Sequence, residues 1–398
     1  MSTSTTVRTR DGGYRAVLGV RHVARLLCGT LIGRMPTGMA PIAILLLVRA
    51  EDGSLVLAGI LAALFGLASA LGQPVLGRLV DQRGQTRVLV GAVTAATTAF
   101  LVLPCISPLH HPVLAALAVI TAGLSTPPLE AGLRALWPVL LPDPGQQRVA
   151  LSLDTSTQGL VFIVGPLLAA GCSAAVGPHA AIAATAALGL LGAAMVVSAE
   201  PSRTWSPTAQ QVHWSGPLRV PGLRVLLAAL TGTGVALGAV NVLALNAAER
   251  NHAGWLAGVL PTALSVGSLL GGLLYGRRFL PGPPVAHLVT AATGFTVGWL
   301  PLLQDPAPYA AVAFAVLPGL FLAPLLTASF LTVGSFAPPG ESTEAFAWLI
   351  ACIGIGQSAS TTLASLAATA GPLACVAIPL AGAAITLVLL HHFSHELS

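Results

Sequence analysis

Apolar residues in this chain do not alternate with polar ones; they run. Continuous apolar stretches of about twenty residues occupy 26–48, 55–77, 87–106, 112–137, 149–172, 179–198, 222–246, 254–276, 285–303, 309–332, 342–368 and 372–391, and short polar segments separate them. At 1.5 Å of rise per residue, each stretch is long enough to cross a hydrocarbon core of roughly 30 Å as a helix. A barrel strand would show about ten residues of alternating polarity instead. Internal Gly and Pro do not oppose the assignment, because neighbouring helices re-satisfy the backbone of membrane helices. The pattern predicts an all-α polytopic membrane protein with twelve transmembrane helices.

The stretches repeat. LAGILAALFGLASALGQPVLGR at 57–78 and LAGVLPTALSVGSLLGGLLYGR at 256–277 share Leu57, Ala58, Gly59, Leu61, Ser69, Leu71, Gly72, Gly77 and Arg78 at an offset of 199 residues, half the chain. Pro144-Gly145 before the fifth stretch returns as Pro339-Gly340 before the eleventh. The expected organisation is an N-terminal segment 1–25, a six-helix bundle 26–198, a polar, proline-containing linker 199–221, a second six-helix bundle 222–391 and a tail 392–398. Two like-oriented, pseudo-symmetric bundles form the architecture of rocker transporters, which pivot about a site near the midplane.

Composition agrees: 55% of residues are hydrophobic, only 8% are charged and the mean hydropathy is +0.85, too apolar for the surface of a soluble domain. The net charge of +5 is carried by arginine, with no lysine. Arg8, Arg10, Arg15, Arg21, Arg25, Arg78, Arg83, Arg87, Arg148, Arg203, Arg219, Arg224, Arg277 and Arg278 fall on one side of the predicted membrane, and only Arg49 and Arg250 on the other. That bias predicts both termini in the cytoplasm of a cell-membrane protein, and the alternation of sides argues against a nucleic-acid surface. The first twenty residues do not resemble a removable signal peptide. Cys28, Cys105, Cys172, Cys352 and Cys375 lack CxxC spacing and read as packing residues rather than a disulfide framework or zinc site.

The loop GRLVDQRGQTR, 77–87, gathers one aspartate and three arginines between two apolar stretches. It resembles the signature that members of the major facilitator superfamily carry between helices two and three, G-x-L-x-D-R-x-G-R-[RK], with Gly77, Leu79, Asp81 and Gly84 in register and Arg83 and Arg87 beside the usual basic positions. The resemblance, which extends over nearly the full chain, implies a twelve-helix transporter. It implies that Asp81 holds a neighbouring arginine and faces the start of helix eleven across the bundle interface, with Gly77 and Gly84 allowing close approach and a tight turn. In the second copy Leu280 stands where Asp81 stands in the first. Helix eleven opens with PGESTEAFAWL, where Ser342 or Thr343 is a candidate cap and Glu344, in the first turn, a capping or gating carboxylate. The TEAFAW stretch and Gly165-Pro166 resemble bacterial exporters of the superfamily.

Arg34, Glu130, Arg134 and Asp154 fall inside predicted helices of the first bundle, each costing about 2.5–3.5 kcal/mol to insert alone. Compensation is therefore expected: Glu130 with Arg134, four residues apart on one helix face, and Arg34 with Asp154. A structural network, a protonation site and a substrate anchor are the competing roles. Gln158, Asn241, Asn246 and Gln357 are candidates to line a cavity or to link helices. His391, His392, His395 and Glu396 read as a frayed tail rather than a metal site, and Trp137, Trp255, Trp299 and Trp348 as interfacial belts.

No nucleotide-binding motif, cofactor motif or catalytic constellation accompanies this pattern, so the expectation is not an enzyme but a monomeric secondary transporter. Its partners would be a small organic solute, a proton or other coupling ion, and the bilayer. Export driven by an ion gradient is the leading reading; import of a small metabolite and a sensor that keeps the fold without transport are the alternatives.

Overall fold

The computed structural model describes residues 13–205, 216–277, 284–368 and 372–393. Arg8, Arg10, Arg278, Leu280, His395 and Glu396 lie outside the described residues. Sixteen α-helices follow in order: α1 (Tyr14–Leu18), α2 (Val23–Gly33), α3 (Met35–Ala50), α4 (Leu55–Arg83), α5 (Gln85–Ile106), α6 (Pro112–Leu124), α7 (Leu129–Leu140), α8 (Pro144–Val176), α9 (Pro178–Val197), α10 (Glu200–Thr204), α11 (Pro221–Arg250), α12 (Leu256–Arg277), α13 (Pro284–Trp299), α14 (Pro308–Phe336), α15 (Ser342–Ala368) and α16 (Pro372–His392). Short 3₁₀ turns stand at Gly216–Arg219 and Leu300–Gln304. Eleven segments among the described residues are long and apolar enough to cross a membrane. Helix α15, which carries Gln357, Ser358, Ser360 and Thr361 near its middle, takes the twelfth place.

Two predicted spans are broken. The first divides into α2 and α3 at Arg34, because Pro36 cannot donate back into the preceding turn. The fourth divides into α6 and α7 around Pro127-Pro128, which remove two successive amides and disfavour helix before them. Gln73 Nε2 donates to the Thr126 carbonyl freed at this gap, at 3.3 Å. Both breaks place charged residues at helix ends inside the membrane span.

Small residues set the helix crossings. A Cβ on Gly38 would strike the Val161 backbone, one on Gly72 the Leu124 backbone and one on Gly267 the Val316 carbonyl, so these helices touch backbone to backbone. The helices of the two halves form two bundles, which meet where α4 and α7 pack on α15 and where α8 packs on α12 and α14. One apolar core joins both bundles at the end bearing the Gly77–Arg87 loop, linking Leu89, Leu133 and Trp137 to Leu226, Phe330 and Phe346, and continues through the second bundle as far as Leu302 and Val376. Toward the other end the cores are separate: Met39, Phe65, Phe100 and Val161 belong to one, and Ala244, Leu256 and Leu260 to another. The bundles are thus joined at one end and parted at the other.

Trp255 is exposed and stacks on Tyr309 at 5.3 Å, as an interfacial residue does. Trp137 and Trp299 do not fit a belt. Both are buried, Trp299 edge-on to Phe295 at 6.0 Å.

Candidate functional site

The Gly77–Arg87 loop closes the joined end. Gly84, at φ 89°, ψ 148°, ends α4 in a conformation that glycine adopts freely, and α5 begins at once. Gly77 lies so close to α15 that an added Cβ would sit 2.9 Å from Ala347 Cβ and 3.0 Å from the Thr343 carbonyl oxygen. One turn further on, buried Asp81 reaches the end of α15. The Thr343 amide donates to its Oδ1 at 3.1 Å and the Glu344 amide to its Oδ2 at 2.8 Å. A carboxylate from one bundle therefore caps the first turn of α15 in the other, where unpaired amides and the helix dipole favour negative charge.

This geometry differs in two respects from the sequence expectation. Both Asp81 oxygens engage backbone amides rather than an arginine, and this carboxylate takes the capping place expected of Ser342 or Thr343. Arg83 and Arg87 are exposed, and among the described residues neither has an ion-pair partner. Arg78 acts electrostatically on Glu344 instead. Buried Glu344 accepts from Trp348 Nε1 at 3.4 Å and packs against Gly216, while Arg219 pairs with buried Glu341 at 3.4 Å. The 3₁₀ turn of the linker thus lies against the same helix start.

The four intramembrane charges form a closed ring. Arg34, at the α2–α3 break, pairs with Glu130 Oε1 and stands 3.7 Å from Asp154 Oδ1. Arg134 holds Glu130 Oε2 at 3.1 Å, and both its Nε and Nη2 reach Asp154 Oδ2 at 2.8 Å. The separate pairs expected from spacing are therefore one neutral tetrad, in which each arginine faces both acids. Glu130, in the first turn of α7 after the proline break, is the most accessible member, with its side chain 12% exposed against 4% for Asp154. Phe330 of α14 covers the tetrad from the other bundle, its ring centroid 3.5 Å from Arg134 Cζ. Nothing in the local sequence marks Phe330, since its role arises only when the bundles meet.

The cavity candidates are dispersed. Asn241 is exposed on α11, and Gln158 and Gln357 are half-buried on α8 and α15. The Gln158 Oε1 atom is buried without a hydrogen-bond partner. Asn246 is committed elsewhere: its Oδ1 accepts from Arg250 Nε at 3.1 Å, and Arg250 holds Asp305 with two further bonds of 2.9 and 2.7 Å.

Comparison with known proteins agrees with this architecture. An MFS-type transporter of Sinorhizobium fredii, y4rN, itself described as uncharacterized, is 32% identical over 192 residues; the match spans 48% of this chain and 47% of the relative, about half the length of each. The human organic anion transporter MFSD10 superposes with a TM-score of 0.71 at 17% identity, covering 93% of this chain and 99% of that one. A bacterial homologue of the iron transporter ferroportin, in an outward-facing state with soaked iron, gives 0.74 at 15% identity over 94% and 99%. The E. coli fucose:proton symporter FucP gives 0.70 at 15% over 93% and 98%. At such identities the likeness concerns the fold alone. The model of the Major Facilitator Superfamily matches residues 26–280, and with the twelve-helix, two-bundle fold this chain belongs to that superfamily of membrane transporters.

Proposed function

We propose that the protein exports a small organic solute by alternating access, with residues 26–198 and 222–391 rocking about a midplane site and the 199–221 linker on the cytoplasmic side. The observation that carries this reading is the contact of Asp81 with the amides of Thr343 and Glu344, a bond between bundles that exists only while that end is closed. The arginine bias assigns the closed end, and with it segments 1–25 and 392–398, to the cytoplasm of a cell-membrane protein, so the conformation is outward-facing. The ferroportin homologue, solved in an outward-facing state, supports that assignment. Gly77, Asp81, Gly84 and Glu344 form the gate, and Arg83 and Arg87 its charged cytoplasmic rim.

The energy source in this reading is an ion gradient, the ion a proton. Within the tetrad, Glu130 is the member most open to water. The other three charges hold the first bundle as one body. Gln158, Asn241 and Gln357 line the path, and a single chain suffices because it contains both halves. The similar structures handle organic anions, iron and fucose, so cargo chemistry follows from side chains along the path rather than from the fold.

The test is intracellular accumulation of a panel of labelled small molecules in an efflux-deficient host, comparing the native protein with Asp81→Asn at matched expression. Lower accumulation of some compound with the native protein, and a smaller difference with Asp81→Asn, is the expected result. Higher accumulation would make it an importer, and no difference across a broad panel would count against transport of this solute class.

A further inference from the structure

The two copies of the repeat close the same end of the molecule by different chemistry. In the first, Gly77 faces Ala347 and Asp81 caps α15. In the second, Gly276 of α12 takes the place of Gly77 at the 199-residue offset. Ser152 of α8 takes that of Ala347 at the offset of 195 that relates Pro144-Gly145 to Pro339-Gly340. A Cβ on Gly276 would lie 2.9 Å from Ser152 Oγ, so α12 meets α8 as α4 meets α15. Yet the residue in Asp81's place is Leu280, which has no charge to offer a helix terminus.

Among the described residues, two hydroxyls reach carbonyls of α12 at this half of the interface. Ser152 Oγ donates to the Gly272 carbonyl. Tyr14, in α1, donates to the Leu273 carbonyl at 2.8 Å, with the Gly272 carbonyl at 3.4 Å. An added Cβ on Gly276 would collide with the tyrosine oxygen, and Arg277 stands 5.9 Å over its ring. Helix α1 precedes the first span and packs on α8, both in the N-terminal half, but its tyrosine ends on α12 of the other bundle. Burial pushes the Tyr14 hydroxyl above its ordinary range, which keeps it a neutral donor at physiological pH.

We propose that α1 belongs to the gate: Tyr14, together with Ser152, latches α12 to the first bundle in place of the acid that the second repeat lacks. The inference rests on the alternating-access reading. When the bundles part at this end, α12 withdraws and the hydroxyl exchanges a protein carbonyl for water. Loss of one such net hydrogen bond shifts the closed-to-open ratio about fivefold. The segment ahead of the first span is then a determinant of the conformational equilibrium, and the two halves of the gate open under different chemical control.

The experiment uses the full chain with its five cysteines replaced, reconstituted in nanodiscs. Spin labels are attached at Pro142→Cys, in the exposed loop between α7 and α8, and at Pro339→Cys, between α14 and α15. Distance distributions are compared for the native sequence, Tyr14→Phe, Ser152→Ala and Asp81→Asn. Tyr14→Phe, which keeps the ring beside Arg277 and removes only the hydroxyl, should raise the long-distance population about fivefold, and combining it with Asp81→Asn should raise it further. A Tyr14→Phe distribution that overlays the native one while Asp81→Asn lengthens it overturns the latch and leaves alternation standing. If neither variant lengthens it, both readings fall. A lower melting temperature for Tyr14→Phe with an unchanged distribution would assign Tyr14 to anchoring α1, and the latch would again be overturned.

Discussion

At the scale of the residue, the tetrad shows why four costly charges persist in so apolar a chain. Arg34, Arg134 and Asp154 are buried and Glu130 is partly so, and each has opposite charges on two sides, so the group is neutral while no member is replaceable alone. Asp154→Asn leaves Arg34 and Arg134 to share Glu130, one positive charge in excess beneath Phe330. Breaking a buried pair from one side costs about 3–5 kcal/mol, whereas replacing both partners with apolar residues of similar volume is often near neutral. Thermal unfolding in detergent should therefore show Asp154→Asn strongly destabilised, and Arg134→Met combined with Asp154→Leu recovering most of the loss. A double variant as unstable as the single one would mean that packing, not charge balance, sets the cost. The spacing of Glu130 and Arg134 was legible as a pair on one helix face. The closure of the ring was not, because it depends on where Pro127-Pro128 breaks the fourth span.

At the scale of the element, the apolar runs located the spans to within a few residues because their period and length answer to the bilayer alone. The breaks, Phe330 and the acceptors of Asp81 escaped because they depend on contacts between helices far apart in sequence. The parted end supplies an element-scale prediction. There Arg250 at the end of α11 grips Asp305, which precedes α14 with φ at 47°, so the pair ties two span ends together. Arg250's hydrogen bonds hold the Asp305 carboxyl below the usual carboxylate range. A carboxyl depressed in the folded state contributes stability above its unfolded pKa, about 3.9, and loses that contribution as pH falls through the lower folded value. The melting temperature of Asp305→Asn should thus lie slightly under that of the native protein at neutral pH, by at most about 2 °C for a half-exposed pair, and converge with it below about pH 4. A gap that widened on acidification would reverse the sign and remove the ion pair as its cause.

At the scale of the whole molecule, what matters is that the two ends differ. The Asp81 cap and the Gly77 and Gly276 contacts between the bundles lie at one end, where the apolar core is shared, and cores confined to a single bundle stand toward the other. If the bundles alternate as proposed, free energy placed at the joined end acts on one conformation and not on its alternative. Gly77 isolates that effect, because its neighbours are a Cβ at 2.9 Å and α15 backbone atoms at 3.0 and 3.1 Å, none of them the end of a flexible side chain. Gly77→Leu inserts bulk that the closed interface can accept only by shifting a helix, at about 1–3 kcal/mol, while the same side chain meets no such obstacle once the bundles part. That energy corresponds to about a 5- to 150-fold change in the closed-to-open ratio. The readout is thiol labelling of Thr327→Cys in a cysteine-free background. Thr327 is buried where its hydroxyl meets Thr155 of the other bundle at 2.7 Å, a position that reagent reaches only when the joined end opens. Labelling should accelerate by the same factor in Gly77→Leu with the secondary structure unchanged. Equal labelling rates would show that α4 and α15 remain in contact throughout the cycle, and the pivot would then have to be sought at α8 and α12 alone.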